Sequence, residues 1–383
     1  MHSFLTDAQQ ARQREFREFV VRHVAPAAAD WDRAEKIPES TVARIADAGY
    51  LGSALPVKFG GQGWDTVTFG LLNEAFGRAS AALSDLLTVQ AMVSMTLVKW
   101  GSEEQKSRWL PTLARGEIIG AFALTEPGGG SDLQSLQTQF TESGGGAYRL
   151  SGQKTWISYG QTAGLFLVIS HAGSLPMACL VPRDSPGVTV KPITGMLGFR
   201  AAGLAHVTFA EVAIPAANVL GKPGVALTYI APFGLQYGRI STACSALGLL
   251  RGCFEEAAAH AAARKVGSGT VGDLGMIRSM LARMGTDVQA AALLCLAACR
   301  ATDDHLPEAF TKALMAKYFS SRAAVRAAAD AVQIWGAAGC HEDAPVARYY
   351  RDAKILEIIE GTSQIHEELL GRTFVEAAPK PVN

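Results

Sequence analysis

The spacing of apolar residues along this chain changes twice, and that alternation limits the folds open to it. From Asp7 to about Arg115 apolar side chains recur every three or four residues, through Gln13 to Ala29, Thr41 to Ala48, Thr66 to Ala81 and Ser84 to Trp100. That is the pattern of helices with one buried face. Between Gly116 and about Gly221 the texture becomes short strand-like runs, Leu165 to Ser170, Met177 to Val181 and His206 to Phe209, separated by Gly and Pro turns. Long alanine-rich segments then return, Ser241 to Arg264, Met276 to Ala301 and Pro307 to Trp335, and a helical bundle is their natural packing. The expectation is an α+β chain, mostly α, in three parts: a helical domain over 1–115, a β domain over 116–221 and a helical bundle over 222–383.

Composition narrows the class of partner. Lys plus Arg and Asp plus Glu number 35 each, so no net field draws the chain to nucleic acid or an anionic membrane. With 383 residues, 49% of them hydrophobic and 18% charged, it reads as an ordinary globular enzyme. Met1 to Val20 carries scattered charge and no signal-type apolar core, and no uninterrupted apolar run of membrane length is found elsewhere. A cytoplasmic location is expected. The six cysteines form no C-x-x-C, and Cys295 and Cys299 lie one helical turn apart in an Ala-Leu-rich stretch, as reduced core residues would. His366-Glu367 lacks the second histidine of a zinc-protease helix, and no metal site is expected.

Three segments carry chemistry. In Ile358-Ile359-Glu360-Gly361-Thr362-Ser363-Gln364-Ile365, Glu360 stands between an apolar helical run and a glycine expected to end the helix. A carboxylate at such a corner, buried among Ile358 and Ile359, has its pKa raised toward neutrality and becomes a useful base. The same pattern also describes a glutamate that only decorates a last turn. Upstream, Ala123-Leu124-Thr125-Glu126-Pro127-Gly128-Gly129-Gly130-Ser131-Asp132 lets backbone amides approach a phosphate or a flat ring, although it lacks the G-x-G-x-x-G spacing of a dinucleotide fold. In Gly152-Gln153-Lys154-Thr155-Trp156-Ile157-Ser158 a strand would point Trp156 and Ser158 the same way. Such a pair can stack on and hydrogen-bond to a planar ring, or fill a core.

Together, in this order and at these separations, the three segments resemble the acyl-CoA dehydrogenase family. The resemblance continues through Gly198-Phe199-Arg200, from Val207-Thr208-Phe209 to Val219-Leu220-Gly221, and through Asp330-Ala331-Val332-Gln333-Ile334-Trp335-Gly336, and so covers essentially the whole chain. Leu235-Gln236-Tyr237-Gly238-Arg239 and Tyr350-Arg351-Asp352-Ala353-Lys354 look most similar to the dehydrogenases of polyketide extender-unit (methoxymalonyl-type) biosynthesis, which act on carrier-protein-bound acyl groups. The resemblance implies an N-terminal helical domain, a middle β-barrel-like domain and a C-terminal four-helix bundle. It places FAD between the last two and implies a homodimer or homotetramer.

The implied reaction is desaturation of an acyl thioester, acyl-CoA or acyl-carrier-protein. A base takes the proton alpha to the carbonyl while a hydride leaves the beta carbon for the flavin, whose electrons pass to an electron-transfer flavoprotein or to oxygen. By motif position Glu360 is the base, with its own backbone N–H and a ribityl hydroxyl holding the carbonyl oxygen; Tyr237, Arg239 and Gly361 fall at the substrate. Some relatives carry the base one residue before the arginine. Here that residue is Gly238, and Glu255 and Glu256 lie roughly 24 Å further along the helix. Leu124, Thr125 and Ser131 match contacts to the flavin ring and pyrophosphate, Trp156 a stacking position and Ser158 the N5 edge. Gln333, Gly336, Thr362 and Gln364 match positions that hold the ADP portion, often from the neighbouring subunit, and Thr362 also reads as a helix N-cap.

Arg264 matches a further FAD anchor, but relatives continue R-x-x-F-G and then a glutamine where this chain has Arg264-Lys265-Val266-Gly267-Ser268 and later Gly275. Two anchors are missing and four glycines, Gly267, Gly269, Gly272 and Gly275, loosen the loop, so weaker FAD retention is expected. A carrier protein would need a basic rim, for which Arg348 and Arg351 are the candidates. Pocket depth is expected to depend on Met92, Met95, Phe233 and Tyr237. Two other functions stay open: a flavin monooxygenase of the same fold, against which Glu360 argues, and a non-catalytic flavin-binding protein.

Overall fold

The computed structural model describes residues 4–378. Six helices form the N-terminal part: α1 (Asp7–His23), α2 (Ala28–Ala34), α3 (Glu39–Asp47), α4 (Thr66–Ala79), α5 (Ala81–Trp100) and α6 (Glu103–Ala114). Their starts follow from side-chain caps. Thr6 and Ser102 each form a reciprocal box with a glutamine three residues on, and Asp65 and Ser80 accept from Thr68 and Leu83 N–H. The expected single helix from Gln13 to Ala29 is two helices. Pro26 sits in a tight turn, Ala25–Ala27, between them and cannot continue α1.

Eight strands follow in one sheet: β1 (Gly120–Ala123), β2 (Gln139–Gly144), β3 (Ala147–Ile157), β4 (Leu165–Ala172), β5 (Leu175–Pro182), β6 (Val188–Pro192), β7 (Ala205–Ile214) and β8 (Val219–Leu220). Their order is β6-β7-β3-β2-β4-β5-β8, with β1 parallel to β4. Phe140, Leu150, Phe166, Val168, Val207 and Phe209 pack one side of it into its own core.

The last part is α7 (Ala231–Ala263), a short hairpin of β9 (Lys265–Val266) and β10 (Gly269–Thr270), then α8 (Gly275–Asp303), α9 (Ala309–Trp335), α10 (Pro345–Ile358) and α11 (Ser363–Glu376). α7 starts at Ala231, well before the expected Ser241, because Pro232 occupies its first turn, where a proline is tolerated. One apolar core runs from Phe16 and Phe76 through Leu250 to Leu356, so the two helical parts are continuous. α4 and α7 touch backbone to backbone where Gly77 meets Ser245 and Gly248 meets Glu74; a Cβ at Gly248 would lie 2.1 Å from the Glu74 carbonyl oxygen. α5 and α8 are both long and apolar enough to cross a membrane, a feature the sequence reading did not find. For α5 the reason is burial at the centre of the fold, where 89% of its apolar window is enclosed.

The segment after Arg264 is not the loose loop its glycines suggested. It closes as the β9–β10 hairpin, with Val271 N–H donating to the Arg264 carbonyl and Thr270 and Asp273 capping each other.

Candidate active site

Glu360 stands at a corner between two helices. α10 ends at Ile358, Ile359 is extended, and Glu360 (φ 56°) and Gly361 (φ 99°) are both left-handed before Thr362 caps α11 by accepting from Ile365 N–H. The helix therefore stops before the glutamate, not at the glycine after it as the sequence suggested. A left-handed residue with a side chain costs about 1–2 kcal/mol, so the corner needs external support. Lys317 of α9, fully buried, supplies it: Nζ donates to the carbonyls of Gly361 (2.6 Å) and Glu357 (3.1 Å). His366 of α11 pairs through Nε2 with the Glu360 carbonyl at 3.2 Å. Burial pushes Lys317 down to about 7, and burial together with Lys317 and Arg239 pushes His366 down to about 3. A neutral imidazole can donate through Nε2 to that carbonyl.

The Glu360 carboxyl turns inward. Oε2 is shut off from solvent and has no hydrogen-bond partner. Burial, reinforced by the negative charge of Asp85, pushes its pKa up to about 7 against the opposing pull of Arg239 and Lys317. Asp85, on α5, is itself pushed up to about 6 by burial, with the Ser158 hydroxyl pulling the other way. Burial lowers the Arg239 guanidinium to about 10; it lies over the Phe310 ring at 5.0 Å. Gly238, beside Arg239 on α7, presses against the Glu360 carboxylate.

Asp85, Ser158, Arg239 and Glu360 open onto a cavity of about 560 Å³ that is also lined by the glycine run Gly128–Gly129–Gly130. A tight turn starts that run, with Glu126 and Gly129 exchanging backbone hydrogen bonds of 3.0 and 3.1 Å. The turn is anchored from below by a buried ion pair, Glu126 with Lys154 Nζ at 2.7 Å; the same ammonium donates to the Leu124 and Ile169 carbonyls. Burial brings Lys154 down to about 8. Burial alone would raise Glu126, but Lys154 and the N–H groups of Gln137 and Thr138 hold it below its usual value.

Trp156 and Ser158 both face the cavity, yet not through strand alternation. The β3–β7 register shifts between Lys154 and Ile157, Trp156 is left-handed (φ 57°), and Ser158 lies just beyond the strand. The bulge turns the indole, 51% exposed, toward the open space. Leu124, Thr125, Ser131, Arg239, Glu360, Gly361 and Thr362 line the same cavity. Arg264, Gln333, Gly336 and Gln364 do not; all four are exposed on the outer surface. Tyr237 is not among the residues lining the cavity; it packs against Phe233 with ring centroids 5.6 Å apart. Of the residues expected to set pocket depth, only Met92 lines it.

Arg348 and Arg351 are likewise no basic rim. Arg348 is buried and donates to the Ala79 carbonyl, while Arg351 is paired with Asp32 and donates to the Leu197 carbonyl. Glu255 is paired with Arg78 and is not among the residues lining the cavity. Among the described residues no group of three or more His, Cys, Asp or Glu side chains is placed to hold a metal ion. The sequence reading missed Asp85, Lys317, His366 and the role of the Glu126–Lys154 pair. Asp85 is visible as a charge inside an otherwise apolar stretch, whereas Glu126, Lys154, Lys317 and His366 stand near other polar residues, and only the fold shows what they meet.

The donor set suits a flat, anionic cofactor. A Cβ at Gly128 would meet nothing within 4 Å, so the cradle admits close approach to its backbone, and the exposed Trp156 indole in the same cavity offers a stacking surface. Three family models match consecutive segments: the acyl-CoA dehydrogenase N-terminal domain at residues 6–117, the middle domain at 121–212 and the C-terminal domain at 224–375. The chain belongs to the acyl-CoA dehydrogenase family. It is similar to the probable acyl-CoA dehydrogenase YngJ of Bacillus subtilis (strain 168), 33% identical over 386 residues, with 98% of this chain and 100% of that one covered. It is also similar to a glutaryl-CoA dehydrogenase from Mycobacterium smegmatis solved in complex with FADH2, at TM-score 0.93 and 25% identity over 100% of this chain and 98% of that one. A third likeness is to FkbI, for biosynthesis of a methoxymalonyl polyketide extender unit, at TM-score 0.86 and 29% identity over 96% and 100%. The helix–sheet–helix organisation is that of the family, and this acyl-CoA dehydrogenase is an FAD-dependent oxidoreductase acting on acyl thioesters.

Proposed function

We propose that Glu360 is the base that removes the proton alpha to the thioester carbonyl. The observation that carries this is its shielded, unpartnered Oε2, raised to about 7 and aimed into the cavity that holds the glycine cradle. A carboxylate titrating near neutrality is ionised often enough to accept a proton and basic enough to do so. The Glu360 backbone N–H is the proposed donor to the carbonyl oxygen, where such a donor is worth about 2.7–4 kcal/mol in the transition state. Lys317 and His366 hold the corner so that carboxylate and N–H keep one geometry. When bound, FAD supplies the hydride acceptor.

Leu124, Thr125, Ser131 and the glycine run are proposed to hold the flavin ring and pyrophosphate, with Trp156 and Ser158 at the ring and Thr362 at a helix N-terminus that favours phosphate. Arg264, Gln333, Gly336 and Gln364 stand on the outer surface, where they would serve the FAD of a second subunit in a homodimer or homotetramer. The electrons leave to an electron-transfer flavoprotein or to oxygen. The likeness to FkbI favours a second reading of the substrate, an acyl group on a carrier protein in secondary metabolism. The tied state of Arg348 and Arg351 gives that reading no support from the surface.

The test is anaerobic bleaching of the FAD-loaded protein by matched acyl-CoA and acyl-carrier-protein substrates, with Glu360→Gln beside it. Rapid bleaching abolished in the variant is the expected result, and the faster substrate names the carrier. No bleaching across a broad acyl panel, or oxygen consumption coupled to hydroxylation, would overturn the reading.

A further inference from the structure

The cavity face of α5 is formed by Asp85, Val89 and Met92, spaced i, i+4, i+7. Val89 and Met92, like Leu235 across from them, suit an apolar acyl chain. Asp85 does not. It is only 5% exposed, its Oδ2 is closed to solvent without a hydrogen-bond partner, and the Ser158 hydroxyl meets the carboxyl group. The helix does not need it, since Ser80 caps α5 by accepting from Leu83 N–H. Among the described residues no ion pair satisfies it; Arg239 and Lys317 act on Glu360. A buried carboxyl oxygen without a donor is expensive, and one placed beside a cavity is completed when a ligand brings the donor.

Its position says where that donor would be. Asp85 and Glu360 line the same cavity, near enough for the one to oppose ionisation of the other, and on the reading above Glu360 faces the carbon that loses its proton. A group meeting Asp85 therefore sits on the part of the acyl chain that shares this cavity with the reacting carbons. We propose that Asp85 selects acyl groups that carry a hydrogen-bond donor, a hydroxyl or an ammonium, near the site of desaturation. This rests on the reading of Glu360 given above. An unsubstituted chain leaves the Asp85 oxygen orphaned, and a site built to bond a donor rejects the analogue lacking it far more strongly than an apolar pocket rejects an extra methylene. Asp85 is raised toward neutrality by burial, so it can meet a hydroxyl in either protonation state and an ammonium best when ionised.

Three thioesters of equal chain length, unsubstituted, hydroxyl-bearing and amino-bearing, decide it. The wild-type holoenzyme should show kcat/KM about 10- to 100-fold higher for at least one donor-bearing chain than for the unsubstituted one. Asp85→Leu should abolish or reverse that ratio. Asp85→Asn should keep the preference for hydroxyl and lose any for ammonium, which tells the two donors apart. Dissociation constants in the Glu360→Gln holoenzyme, read from the flavin spectrum, should show the same ranking without turnover. Equal or better reaction and binding of the unsubstituted chain by the wild-type site overturns the proposal, whether or not the Asp85 variants fold. If no chain reduces the flavin, the desaturase reading falls, and the binding ranking still decides the role of Asp85.

Discussion

Gly238 and Glu360 compete for one volume: a Cβ on Gly238 would lie 2.1 Å from Glu360 Oε2 and 2.5 Å from its Cδ. The missing side chain on α7 is what lets the carboxylate from the α10–α11 corner enter the site. A base at either position excludes the other. Gly238→Ala should push the carboxylate out of line and lower kcat/KM on the order of 100-fold, since small displacements of a positioned group have effects of that size. Near-wild-type turnover in this variant would show that the carboxylate seat is not what matters.

The pH dependence follows from the Glu360 value of about 7. The base works only when ionised, so kcat/KM should rise through about pH 7 to a plateau above it. Stability runs the opposite way. The folded protein holds this proton more tightly than the unfolded chain, whose glutamate titrates near 4.3, so the buried charge is a full burden above about pH 7 and none below about 4.3. Glu360→Gln should therefore stabilise the protein by about 3–4 kcal/mol at pH 8, a gain that disappears in melts taken toward pH 4.

Lys317 should behave as a positioning residue. Its ammonium braces the Gly361 and Glu357 carbonyls and is one of two cations that pull the Glu360 pKa down. Lys317→Met should reduce kcat about 10- to 100-fold with a smaller change in KM, and shift the midpoint of the pH–rate curve upward. A rate loss with an unmoved midpoint would mean that the lysine acts on folding alone.

The Glu126–Lys154 pair should be critical to the cradle because both partners are buried. Removing one, as in Lys154→Met, leaves an uncompensated charge and should destabilise by about 3–5 kcal/mol. The double variant Glu126→Gln, Lys154→Met should recover part of that loss. Thermal melts with and without FAD check both statements.

The segment from Arg264 to Gly275 keeps one of the three FAD-gripping side chains that the family resemblance implies. Its hairpin is ordered, but order does not replace the missing phenylalanine and glutamine. Purified protein should lose FAD during extensive dialysis, followed by the 450 nm absorbance, and quantitative retention would contradict this.

The helix–sheet–helix order was readable because apolar spacing reports secondary structure directly, and Thr362 was readable as a cap because it acts through local geometry; the break at Pro26 was not, because the apolar spacing runs on through it. The cradle and Glu360 were readable because glycine runs and a carboxylate before a glycine are local signals. Their consequences were not. Asp85, Lys317 and His366 looked like ordinary helical residues, and Arg348 and Arg351 looked like surface cations, until α5, α7, α9 and α10 met. Whether a charge is buried, paired or orphaned is set by neighbours distant in the chain: Lys317 reaches Gly361 across 44 positions and Arg351 reaches Asp32 across 319. Sequence alone determined the elements and the kind of chemistry carried. Only tertiary packing decided which carboxylates lost water, because desolvation is a property of the enclosed volume and not of the residue.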